Sequence, residues 1–503
     1  MRMGSVLRQS AALFGSNLLL LAGGYGFKIF LARTVGAEGL GLFALAESLT
    51  AFALLLVVWE IQQAVFRFTG EFRVRGELER MRRLVWAALW QVLGLGLVVG
   101  AAFYLTRSFW AERIFGVKAI SPVLAFFALM LLPRGVETVS RMVSRGYREV
   151  LRVVAITTVV AFPLKVAVSV VLIRLGLGLT GWLVGETVAY FVSAGLLTWL
   201  ALAVLPSPVR RPLFLVRQEP TIYGFTATMV GRAWLGIGNR RLGTLLLGIF
   251  LPPEAIGIYS VALTTAGLMD MLQSALNGAL APHFAELHGL GRKEEMAKMY
   301  YRVTRWDLMA VMPVFAILAA LSEPLMALFG DAFRQGAVVL AILALGELVN
   351  VGSGPVGILL TMAGFERVVL WVMGLQLAVN ASLLLFLLPL LGLPGAALAF
   401  AGSTAFMYCV LFVQARKRFP IHLLDGPMWR LLLSGLGLAA VALAFHELLS
   451  PHLGYVPLLL VSGTVLSGIW FGWAYLGLMD GEDRRLAGEA VRGATARFAP
   501  AAW

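Results

Sequence analysis

Cysteine is almost missing from this chain. A single residue, Cys409, stands inside an apolar run, which excludes an internal disulfide framework and a thiolate-held metal cluster. Charge is also scarce. Only 14% of the 503 residues are Asp, Glu, Lys or Arg, against about 25% in soluble domains, so the chain could not cover its own surface in water. Long polar segments are lacking, and no loop could hold a soluble catalytic domain. There is no phosphate-cradling Gly-rich loop ending in Lys-Ser or Lys-Thr, which argues against ATP hydrolysis. Neither a metal-ligand cluster nor a nucleophile beside a base is found on any loop. These absences point away from an enzyme and call for no cofactor.

What the chain has in excess is hydrophobicity: 60% of residues are apolar and mean hydropathy is +0.86. Apolar runs recur from end to end, each long enough to cross a hydrocarbon layer of about 30 Å. They are solid rather than alternating, which excludes a β-barrel. The pattern predicts an all-α polytopic membrane protein of about fourteen transmembrane helices. The expected spans are 10–34, 40–66, 84–106, 119–142, 152–173, 179–204, 223–250, 256–282, 303–327, 337–362, 367–389, 395–415, 429–447 and 455–478. Met1 to Arg8 leads straight into the first span, so that helix is expected to be retained as its own insertion signal.

The net charge is +14. In a soluble protein this would raise nucleic acid as a partner; here the basic residues are topogenic. One loop carries Arg67, Arg73, Arg75, Arg80, Arg82 and Arg83, and another Arg292, Lys293, Lys298, Arg302 and Arg305, whereas 251–256, 390–394 and 448–454 carry no Lys or Arg. Basic loops stay on the cytoplasmic side. The expectation is therefore a multi-pass protein of the cytoplasmic (inner) membrane with both termini in the cytoplasm.

The chain also repeats itself. GAEGLGLFALA at 36–46 matches PPEAIGIYSVA at 252–262, an offset of 216 that pairs Glu38 with Glu254 and Gly41 with Gly257. RGYREV at 145–150 resembles AGFERV at 363–368, and GLTG at 178–181 resembles GLPG at 392–395. Six helices separate the copies. An even number preserves orientation, which predicts two lobes about a pseudo-two-fold axis along the membrane normal. The expected organisation is an N-terminal lobe over 1–205, a cytoplasmic linker over 206–222, a C-terminal lobe over 223–418, an extra helix pair over 419–480 and a cytoplasmic tail over 481–503.

These segments carry a family likeness. LARTVGAEGLGLFALA at 31–46 resembles the first hairpin of polysaccharide flippases, and LLLGIFLPPEAIGIYSVALTT at 245–265 resembles their seventh-to-eighth hairpin. APHFAELHGLGRKEEMAKMYYRVTRW at 281–306 resembles their cytoplasmic link, and LPGAALAFAGST at 393–404 a later turn. The likeness spans nearly the whole chain. It is to the multidrug/oligosaccharidyl-lipid/polysaccharide (MOP) exporter superfamily, and within it to lipid-linked oligosaccharide flippases of the O-antigen and lipid II types. The resemblance implies two six-helix lobes in a V, alternating access, and a pyrophosphate-linked sugar that crosses while its prenyl tail stays in lipid. The partners it implies are a lipid-linked glycan, membrane lipid and a proton or sodium ion, with no nucleic acid, handled by a monomer. Many such flippases carry an acidic residue before the LLLG segment, where this chain has Asn239, Arg240, Arg241 and Gly243.

Charges within the spans must be paired or functional. Lys28 and Glu47 are expected at one depth on the first hairpin, and so are Lys165 and Glu186 on the third, while Arg134 and Glu137 are one turn apart. These pairs are either structural or line a cavity and break during a cycle. Arg232, Arg240 and Arg241 share the seventh span with Asn239. A guanidinium grips phosphate with a planar fork, so these four residues and Lys28 are candidates for substrate contact. Alternatively Asp270 and Glu347 neutralise the arginines. Asp270, Glu347 and Glu47 are candidates for ion coupling. The function expected is translocation of a polyprenyl-pyrophosphate glycan for cell-envelope polysaccharide synthesis. The alternative is an ion-coupled drug or metabolite exporter of the same superfamily.

Overall fold

The computed structural model describes residues 3–214, 219–422, 426–450, 452–479, 481 and 484–485; of residues 3–19, 272, 275–279 and 426–427 it describes the backbone alone. Part of the expected 206–222 linker and most of the expected 481–503 tail lie outside the described residues.

The described chain is helical throughout. Ten runs are long and apolar enough to cross a membrane, within a set of 14 long helices. Backbone reversals account for part of the difference. Met3–Val58 reads as one helix but turns at Gly36, whose φ of 79° and ψ of 179° lie in a region that only glycine occupies without strain. Val150–Val204 likewise holds two rods, reversing at Gly176 and Gly178. Helix Pro220–Phe250, interrupted by three arginines, and the run from Pro253 to Gly289 complete the set.

Two boundaries differ most from expectation. The second span ends at Val58, not at residue 66, because Trp59 and Glu60 are both left-handed (φ 47° and 53°). Beyond them Ile61–Arg75 is a separate amphipathic helix. Ile61, Val65, Phe68 and Phe72 are buried on one face, and Arg73 and Arg75 end its last turn. The helix that carries the ninth span starts at Lys293, ahead of the apolar stretch expected from 303. Its first turn carries Glu294 and Glu295, acids that suit the positive end of a helix dipole.

By packing, the chain divides into one unit of Met1–Ser260 with Asn380–Ala396 and another of Val261–Val379 with Ala397–Trp503. In the first unit Ile120–Gly146 is central, packed against Gly178–Val204, Leu78–Leu105 and Met3–Val58. The stretch after residue 205 is strapped to Leu78–Leu105. Arg82, Trp86 and Trp90, spaced one turn apart, donate to the carbonyls of Arg211, Val209 and Leu213 at 2.9, 2.9 and 3.0 Å. Arg80 then clamps Glu219 with its Nε at 2.7 Å and with a second nitrogen. This fork holds the Glu219 carboxyl below its ordinary value.

The repeat appears in this unit as a contact. A Cβ on Gly41 would lie 1.7 Å from the carbonyl oxygen of Pro253, and one on Gly257 1.9 Å from that of Ala37. Ala37 and Gly41 are the equivalents of Pro253 and Gly257 at the offset of 216. The two turns therefore meet reciprocally, backbone on backbone, about a local two-fold.

In the second unit Lys293–Ala320 is the hub, packed by Leu268–Gly289, Ala337–Gly352, Gly426–Leu449 and Tyr455–Trp473. Met309, Met312, Phe315, Leu431, Leu438, Leu466 and Trp470 form a shared core. Pro313 lies inside the hub helix and cannot donate to the carbonyl four residues before it. That carbonyl belongs to Met309, and the buried Trp470 indole donates to it at 2.7 Å.

Candidate functional site

Three clusters of polar side chains stand within the helices. The first lies where Pro220–Phe250 packs on Met3–Val58. Phe52 and Trp234 meet with ring centroids 5.6 Å apart, and Glu47 and Arg241 pair at 3.5 Å in the same antiparallel register. Lys28 reaches the Ser260 carbonyl at 3.2 Å and lies in the fields of both Glu47 and Arg241. Arg241 thus stands at ion-pair distance from the Glu47 carboxylate, with Lys28 close by. Asn239 donates to the Leu235 carbonyl of its own helix at 3.1 Å. Arg232 and Arg240 are exposed, and among the described residues neither has a carboxylate at ion-pair distance. Among the described residues, this helix therefore presents two guanidinium groups without a carboxylate partner.

The second cluster lines a cavity of about 570 Å³ in the first unit, walled by Ile120–Gly146, by the hairpin of Val150–Val204 and by Leu20. The hairpin's rods run very close at Gly185, where a Cβ would sit 2.1 Å from Ser169 Oγ. That approach brings Lys165 to Glu186 at 2.7 Å, and the Trp182 indole also donates to Glu186 at 3.3 Å. Glu137 takes Arg141, one turn on, rather than Arg134. Arg134 instead lies over the Tyr190 ring at 5.1 Å. A carboxylate that precedes its cation by four residues is the favoured helical order, a signal present in the sequence and passed over there. The wall beside Lys165 is π-helical over Ala155–Ala161, directly ahead of Pro163, which removes a backbone donor. Such local widening recurs at functional sites.

The third cluster belongs to the second unit. Asp270, in the first turn of Leu268–Gly289, and Glu347, on Ala337–Gly352, share the amide of Asn350. Its Nδ2 donates to Glu347 at 2.9 Å and to Asp270 at 3.5 Å. Glu347 and Asn350 are buried, and Asp270 is exposed. The Asn350 Oδ1 is buried without a hydrogen bond. Two carboxylates and a spare amide oxygen form an oxygen-rich donor set of the kind that suits a proton or a hard cation. Sequence reading found both acids but not Asn350, which lies one turn beyond Glu347. It also passed over Asp307, wholly buried in Lys293–Ala320 with neither oxygen hydrogen-bonded.

Comparisons with known proteins agree with this architecture. Residues 30–337 match the model of a family described as polysaccharide biosynthesis protein. No curated protein matches the chain in sequence. Among solved structures, the fold is similar to that of a lipid II flippase MurJ in an inward closed conformation, with a TM-score of 0.68 at 12% identity over 93% of this chain and 99% of that one. It is also similar to an inward-facing multidrug resistance MATE family transporter of the MOP superfamily, with a TM-score of 0.57 at 14% identity over 78% of this chain and 98% of that one. A MOP superfamily transporter from Pyrococcus furiosus matches with a TM-score of 0.52 at 15% identity over 82% of this chain and 95% of that one. A multi-pass helical membrane protein with the fold of MOP transporters, this chain belongs to the polysaccharide biosynthesis protein family.

Proposed function

We propose that this protein is a flippase that moves a lipid-linked oligosaccharide, a glycan on a polyprenyl pyrophosphate, from the inner to the outer leaflet of the cytoplasmic membrane. In this reading the repeats 1–205 and 223–418 are the lobes of an alternating-access carrier working as a monomer with both termini in the cytoplasm. The 206–222 segment links them, and 419–480 adds a helix pair. The observation that carries the reading is the exposed, carboxylate-free pair Arg232 and Arg240 on Pro220–Phe250. An uncompensated guanidinium inside a membrane is costly and is repaid by an anionic ligand such as pyrophosphate. Arg241 and Lys28 add positive charge held in place by Glu47 and the Ser260 carbonyl. Asp270, Glu347 and Asn350 take the coupling proton or sodium ion.

The test is flipping of a fluorescent lipid-linked oligosaccharide in proteoliposomes, with and without a proton or sodium gradient. Gradient-dependent exposure of the sugar supports the reading and names the ion. Extrusion of a cationic dye without flipping of any glycan lipid would replace it with the exporter reading.

A further inference from the structure

The cavity of the first unit plays no part in the reading above, yet it is built like a binding site. Its ionisable lining residues are Glu137, Arg141, Arg145, Lys165, Glu186 and Tyr190. Both carboxylates are already matched, Glu137 by Arg141 and Glu186 by Lys165. Arg145 is therefore the cation in excess. It is exposed, and its guanidinium rests 5.8 Å from the Phe66 ring, a contact that leaves its five donors available.

Two hydroxyls make a second, independent observation. Thr158 and Ser193 line the cavity and are only 8% and 3% exposed, yet neither side-chain oxygen has a hydrogen-bond partner. Buried polar groups are normally satisfied, and each exception is costly. Thr158 sits on the π-helical stretch, where the helix is locally widened. The volume of about 570 Å³ falls in the range of small-ligand sites, roughly 300–1,000 Å³.

We propose that this cavity binds an oxyanion-bearing part of the glycan lipid, with Arg145 gripping the anion and Thr158 and Ser193 bonding the neighbouring hydroxyls. The shared chemistry is an anionic oxygen beside hydroxyl groups. It has two sources in such a lipid, the carboxylate of an acidic sugar and the phosphates of the carrier. A neutral glycan offers hydroxyls but nothing for Arg145. This assignment rests on the flippase reading for how the ligand arrives, but not for the binding itself.

The experiment titrates purified full-length protein by calorimetry with three probes: a glucuronic-acid trisaccharide, inorganic pyrophosphate and neutral maltotriose. At least one anionic probe should bind about tenfold or more tightly than maltotriose, and Arg145→Gln should abolish that preference, since charge-assisted bonds are the strong ones. A Thr158→Val/Ser193→Ala double variant, checked for normal elution, should weaken binding of the same probe by roughly three- to tenfold. Tighter binding of the trisaccharide assigns the site to an acidic sugar, and tighter binding of pyrophosphate assigns it to the carrier's phosphates. Equal affinity for all three probes, or a preference unchanged in Arg145→Gln, overturns the proposal. The same preparation in the flipping assay separates the two ideas. Flipping without anion binding removes this site and keeps the flippase reading. Anion binding without flipping does the reverse.

Discussion

At the scale of single residues, three arginines on one helix have different surroundings. Arg241 is committed to Glu47, whereas Arg240 is exposed with no carboxylate beside it among the described residues. Arg240→Gln should therefore cut flipping by about tenfold or more, about 1.4 kcal/mol, with no change in melting temperature. Unchanged flipping would remove Arg240 from the substrate path. Lys165 and Glu186 call for the opposite expectation. Glu186 is buried, and removing one partner of a buried pair costs roughly 3–5 kcal/mol. Lys165→Met should lose folded protein, and Lys165→Met/Glu186→Leu should recover most of it, because no stranded charge remains. Thermal unfolding of the two variants checks this; a double variant as unstable as the single one would show that the pair itself holds the hairpin.

Whole elements depend on a few long-range bonds. The extra helix pair meets the rest of its unit through apolar packing and, among the described residues, through polar bonds that include the Arg334 guanidinium on the Tyr455 hydroxyl and the Trp470 indole on the carbonyl that Pro313 leaves open. Trp470→Phe keeps most of the packing and strands that carbonyl, a loss of about 1–3 kcal/mol that a lower melting temperature should register. Pro313→Ala, which restores the helix's own donor, should reduce the penalty of Trp470→Phe. The strap after residue 205 is sensitive to pH. Glu219 is held below its ordinary value of 4.5 by Arg80. Its contribution is thus fully present above pH 4.5 and is lost as pH falls through the lower folded value. Hydrogen exchange across 205–214, taken relative to the intrinsic chemical rate at each pH, should accelerate at acid pH in the native protein. In Glu219→Gln it should be fast already at pH 7.

At the scale of the molecule, the helices were legible in the sequence and many of their partners were not. Solid apolar runs and glycine-marked turns place rods such as 84–106 and 119–142 within a few residues, because lipid demands them. The break at Trp59 and Glu60 carries no such mark, since neither is a glycine or a proline and both suit the interfacial end of a longer helix. Charged residues stand out against an apolar background, so Arg240, Asp270 and Glu347 are candidates from sequence alone, and Lys165 and Glu186 are legible as a pair. The amide of Asn350, the hydroxyls of Thr158 and Ser193 and the indole of Trp470 were missed. Uncharged polar side chains are common in membrane helices, and only the fold shows which of them are buried or bonded across a distance in sequence.

The meeting of Gly41 with Pro253 and of Gly257 with Ala37 ties two distant stretches of the sequence to one another's choice of residue. A contact made by equivalent positions is isologous: one small-residue patch serves both sides. The two turns differ in sequence at Ala37 and Pro253, yet each backbone is the other's mould. A side chain added at either glycine is felt by the opposite turn, so this is a constraint that neither turn can relax alone.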